Sequence, residues 1–236
     1  MRKLLAAILF TIIAAVPSVA QTSGHYTLWS RLRIAHVFSP KWETEADLQY
    51  RRQGDGDANI LALPLAYSVR LWAYYRPVPK WTIGFSPFTW FHNYALVNTS
   101  ADKLKGWEEY RIYLYGEYRL SIARKLILFN RVGAEPMYQQ RSWGDRSFTR
   151  LRWREQLNLQ VWPATQIFAG SELFINSFAS EKMSVYNQGR LFTGIQYHAS
   201  KHLMLTGGYM LQHIYTQTDK SYQISHDLTV GAHIHL

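Results

Sequence analysis

Arg150, Arg152 and Arg154 occupy every second position of residues 149–161, and Gln156, Asn158 and Gln160 continue the series. Leu151, Trp153, Leu157, Leu159 and Val161 fill most of the positions between. Successive side chains of a strand point to opposite faces, so this is one β-strand with a polar side and an apolar side. A helix would spread the three arginines around its circumference. Guanidinium groups on one face attract carboxylates or anionic solutes, and the fixed fork of arginine suits bidentate pairing. The same alternation elsewhere places Arg31, Arg33, Arg51, Arg70, Arg111, Arg131 and Arg190 on polar faces, together with Glu43, Glu45, Asp47, Glu109, Glu117, Glu135 and Glu172. Enclosed together these groups must pair, because an unpaired buried charge costs several kcal/mol. They read as an ion-pair network filling a lumen; a lining selective for small anionic solutes is the alternative.

Other chemistry has less support. His92, His213 and His226 fall near strand ends, and serines are plentiful. A lipid hydrolase would need a serine, a histidine and an orienting group acting as a unit. No spacing links these residues, so no catalytic residue is expected. His233 and His235 share one strand face and could clamp a metal. No carboxylate or third histidine is tied to them by sequence, so neither metal nor cofactor is expected. GxSxG, HExxH and glycine-rich phosphate loops are absent.

The elements that must position the polar residues are strands. Alternation recurs over residues 25–38, 42–51, 61–75, 81–92, 109–119, 126–138, 149–161, 167–176, 191–197, 203–214 and 222–236. Short connections such as Ser39-Pro40-Lys41 alternate with longer polar ones at 53–58, 93–106 and 177–187. Short turns on one side and long loops on the other characterise outer-membrane barrels. Outward-facing aromatics crowd the short turns, and Trp42, Tyr75, Trp81, Tyr118, Trp162 and Tyr197 are expected to form a membrane girdle. The fold class is therefore all-β, an antiparallel up-and-down transmembrane barrel of about 10–12 strands. A soluble secreted sandwich would have shorter strands and fewer tryptophans at their ends. Three features stand out against the pattern. About eleven strands are counted where bacterial barrels have an even number, so 10 or 12 is expected. Glu155 falls on the apolar face of its strand and calls for a bulge. Pro64 calls for a bulge or an edge.

The 236-residue chain opens with Arg2 and Lys3, an apolar run over 4–16 and a small-residue site at Ser18-Val19-Ala20. Residues 1–20 read as a cleaved signal peptide, leaving 21–236 as one barrel domain. The apolar run is too short for an anchor helix, and no other run approaches the ~20 residues of a transmembrane helix. The chain has no cysteine, so disulfides contribute nothing. Loss of Arg2 and Lys3 lowers the formal net charge from +10 to +8. Nucleic acid is not an expected partner of an exported protein; outer-membrane lipids are, with the barrel-assembly machinery during insertion. The aromatic content of 15%, with 16 Tyr and 9 Trp, suits residence at a membrane–water interface.

Several segments carry a resemblance: Leu28-Trp29, the turn from Ser39 to Trp42, Tyr50-Arg51-Arg52, the Arg150, Arg152, Arg154 series, Asn187-Gln188-Gly189-Arg190 and Gly194-Ile195-Gln196-Tyr197. Together they resemble the domain of unknown function 2490 family of outer-membrane barrels, known mainly from Bacteroidetes-type bacteria. The resemblance implies a barrel in a Gram-negative outer membrane and brings no activity with it. Intact-mass measurement of the exported protein is expected to place the mature N-terminus at Gln21, and fractionation to place the product with outer membranes. A soluble periplasmic product would exclude the barrel.

Overall fold

Strands with one polar and one apolar face satisfy both when they curl into a ring, polar side inward. The computed structural model describes residues 24–55, 59, 61–97, 104–177, 185–216 and 221–236. The expected signal peptide at 1–20 lies outside them, as does much of the loops expected at 53–58, 93–106 and 177–187. Eleven strands are present among the described residues: β1 (Gly24–Ser39), β2 (Trp42–Gln53), β3 (Leu63–Tyr75), β4 (Trp81–Tyr94), β5 (Gly106–Ala123), β6 (Leu126–Gln140), β7 (Arg146–Trp162), β8 (Thr165–Ser177), β9 (Tyr186–His198), β10 (Leu203–Thr216) and β11 (Ser221–His235). Each pairs with its sequence neighbours, and β1 and β11 close the barrel.

The expectation of an even strand number is not met. Antiparallel hairpins reverse direction at every step, so an odd ring must bring two like-directed strands together. Here β1 and β11 pair in parallel, from Gly24 opposite Ile224 to Ala35 opposite His235. Parallel pairing is slightly less stable per residue. A side-chain bond reinforces it: the Thr27 hydroxyl donates to Asp227 Oδ1 at 2.5 Å, and the two residues are register partners. β1 starts at the long-loop end of the barrel, and β11 finishes at the short-turn end.

Breaks in the alternation have local causes. The β2–β3 register shifts where Arg51 faces Ala66 and Arg52 faces Pro64, so Pro64 does sit at a bulge. β4 slips against both neighbours around Pro87, so the alternation expected over 81–92 changes phase there. Ser86 accommodates the slip by donating to the Phe88 carbonyl at 3.0 Å. The bulge expected at Glu155 is absent, because β7 keeps its register with β6 and β8 on both sides of that residue. Glu155 stays on the outward face, where Asn130 Nδ2 donates to its carboxylate at 2.9 Å.

Outward positions such as Leu48, Leu71, Ile112, Leu114, Val132, Trp153 and Leu228 are exposed and apolar. Inside, Trp72, Tyr113 and Tyr115 form a buried cluster with Tyr74 packed against it. The cluster depends on inward glycines. A Cβ on Gly133 would lie 2.5 Å from Tyr113, 2.6 Å from the Leu114 carbonyl oxygen and 2.7 Å from Tyr115 Cβ. A backbone oxygen cannot rotate away, so Gly133→Ala is expected to cost about 1–3 kcal/mol by overpacking. Unfolding in micelles, followed by tryptophan fluorescence, measures this; an unchanged midpoint would mean that the cluster gives way freely.

Candidate functional site

The arginine strand behaves as its spacing requires. Arg150, Arg152 and Arg154 all line the lumen. Glu135 on β6, 1% exposed, receives Arg150 at 2.5 Å and Arg152 at 3.4 Å, with Arg111 at 3.8 Å. Glu172 on β8 pairs with Arg152 and, at 3.2 Å, with Arg190. On the other side of the barrel the fully buried Asp47 takes both forks of Arg31, at 2.8 and 2.6 Å, and lies 3.7 Å from Arg70. Arg131 pairs with Glu117 at 2.6 Å, and Arg111 with Glu109. Arg33 lies 3.8 Å from Glu45.

The network expected to fill the lumen is corrected in two respects: it leaves space, and one of its arginines lacks a carboxylate. The carboxylates of β2 do not reach across to the arginines of β7: Glu43 holds Arg76 at 2.6 Å, and Glu45 accepts from the Tyr74 hydroxyl at 3.1 Å. Arginine–carboxylate pairs join neighbouring strands around the wall, and the lumen keeps a cavity of about 680 Å³. Arg154, although opposite Glu172 in the β7–β8 register, finds no carboxylate among its hydrogen-bond partners. Its Nη2 donates to Gln156 at 2.6 Å, and its guanidinium lies 4.4 Å from the Phe192 ring.

Aromatic plates do what carboxylates leave undone, and the sequence reading missed them. Phe91, 1% exposed, lies under Arg111 at 4.2 Å and under Arg51 and Arg70 at 5.6 Å. Phe174 is equally buried beneath Arg150, Arg152 and Arg190, at 4.6, 5.2 and 4.5 Å. Arg51 stacks on Trp29 at 3.5 Å and donates to Gln49 at 2.9 Å. The negative face of a ring attracts a guanidinium without adding charge. The signal was available in part, since Phe174 alternates in step with Glu172 and Asn176. Asp227 was also missed; Ser225 donates to it at 2.6 Å, and Gln212 connects it to Arg190.

The aromatics expected in a girdle stand at the short-turn end. Trp42, Trp81, Trp162 and Tyr197 are exposed. Trp42 packs on Tyr75 at 4.7 Å, and Trp81 on Tyr118 at 5.1 Å. The three histidines weighed as catalytic bases have other partners: His92 meets Glu108, His213 meets Tyr186, and His226 meets Tyr209.

A closed ring of amphipathic strands with charged residues inside defines an outer-membrane-type β-barrel. The chain belongs to the family described as Protein of unknown function (DUF2490), which matches residues 26–223. Its structure is similar to the NanC porin, at 11% identity and a TM-score of 0.49, covering 84% of this chain and 94% of that one. It is also similar to outer-membrane expressed OmpT of Vibrio cholerae, at 8% identity and a TM-score of 0.39, covering 77% and 58%. No curated protein matches the chain.

Because Glu135 serves three guanidiniums, Glu135→Gln is expected to destabilise the barrel by about 3–5 kcal/mol, the usual cost of breaking a buried pair. Glu155→Gln, on the outer face, is expected to cost about 1 kcal/mol or less. Denaturant unfolding of both variants checks the contrast, and equal losses would contradict it.

Proposed function

We propose that the protein is a barrel of the bacterial outer membrane with a structural or interaction role, its wall braced by ion pairs and its lumen reduced to a chamber. The observation that carries this is the space the side chains leave, about 680 Å³. That is the volume of a small-molecule site, whereas the wide aqueous channels of 16–18-stranded porins need a larger ring. The proposal includes no enzymatic activity, a reading supported by histidines engaged by Glu108, Tyr186 and Tyr209.

A second reading, a narrow path for small anionic solutes, is favoured by one observation. Arg51 and Arg154 face the cavity, and among the described residues they donate to the neutral side chains of Gln49 and Gln156. A positive excess of this kind draws anions in.

Planar-bilayer recording distinguishes the two. The wild-type barrel is expected to conduct little or nothing. Replacing Arg150, Arg152 and Arg154 together by Ser strips guanidiniums from Glu135 and Glu172, so it should lower stability and open a cation-preferring leak. A wild-type protein that conducts as a wide, stable pore refutes the proposal, and a small anion-selective conductance establishes the second reading.

A further inference from the structure

Glu43, Glu45 and His233 converge at the short-turn mouth of the lumen, and each offers one ligand atom within 4.8 Å of the others. All three are buried. Barrel closure creates this meeting: β1 lies between β2 and β11, and its inward residue Ala35 is register partner to both Glu45 and His235. Ala35 presents only a methyl group, so side chains from either side meet over it. We propose that Glu43, Glu45 and His233 bind a divalent transition-metal ion, with Zn²⁺ the best match.

Three observations support the assignment. His233 is 7% exposed, and its Nε2 has no hydrogen-bond partner. A buried ring nitrogen left without a partner is costly unless something else occupies it. That nitrogen lies 3.3 Å from Glu45 Oε2. Two ligands roughly 2.0–2.1 Å from a zinc ion at the tetrahedral angle lie about 3.3 Å apart, so an ion fits between them with little movement. The outer contacts are also in place. Arg76 holds one oxygen of Glu43, Tyr74 donates to Oε1 of Glu45, and His235 packs its ring 4.0 Å from that of His233. Ligating carboxylates and imidazoles are oriented by such supports. One imidazole with two carboxylates is a borderline donor set of the kind that takes zinc, with a coordination position left open. Arg33 near Glu45 adds positive charge and tempers the affinity.

The test uses the mature chain in detergent micelles with Zn²⁺ alone. After gel filtration, metal analysis is expected to find one ion per chain, and the zinc-loaded barrel should unfold at a higher temperature. Glu45→Gln and His233→Ala should each lose the ion, whereas His202→Ala, at an exposed turn histidine, should keep it. In case either variant does not fold, His233→Cys loaded with Co²⁺ provides a second readout: a thiolate-to-cobalt absorption band absent from wild type. Failure of the wild type to retain zinc would overturn the proposal. So would retention undiminished in Glu45→Gln and His233→Ala, or a folded His233→Cys variant without the band.

Discussion

Charge burial dominates this barrel. Its lumen contains more guanidiniums than carboxylates, and each must be satisfied away from bulk water. The carboxylates are therefore shared: Glu135 among Arg111, Arg150 and Arg152, Glu172 between Arg152 and Arg190, and Asp47 between Arg31 and Arg70. The remaining positive charge rests on aromatic faces, chiefly Phe91, Phe174, Trp29 and Phe192. Lysine could not replace arginine here, because a compact ammonium lacks both the planar stacking surface and the fork. The pairs also join adjacent strands, so they brace the wall and leave a chamber in the lumen.

The odd strand number has consequences beyond its seam. In an even ring the last strand would run antiparallel to β1 and finish at the long-loop end, carrying its final residues away from Glu45. With eleven strands, β11 lies one strand away from β2, and a histidine and a glutamate can span that distance over an alanine. The same closure brings Asp227 beside Thr27, so the weakest backbone pairing carries a buried side-chain bond. Topology thus decides which polar residues become neighbours.

Period two was legible outside β4, and with it most of the inward set. Arg150 with Glu135 was legible too, since hairpin connectivity makes β6 and β7 neighbours. Pairing preference within a neighbourhood was not. Arg154 faces Glu172 in register, yet arginines reach diagonally and Glu172 is taken by Arg152 and Arg190. Phe91 was hidden by the slip at Pro87, which spoils the parity of β4. His233 and Glu45 are far apart in the chain, and no local pattern announces a contact made only when the ring closes.

Glu155 shows how such constraints are ranked. A bulge would have turned its carboxylate inward, and would also have reversed every later residue of β7. Gln156, Asn158 and Gln160 would then face out, and Leu157 and Leu159 would face in. The inward ladder would be lost, in which Arg154 donates to Gln156 at 2.6 Å and Gln156 to Asn158 at 2.7 Å. In a wall facing lipid, an outward Arg or Lys costs about 2–4 kcal/mol at the midplane and an acidic residue less. One carboxylate with a local donor is therefore the smaller penalty, and Asn130, opposite it in register, supplies that donor. The exception on the apolar face follows from the regularity of the polar one.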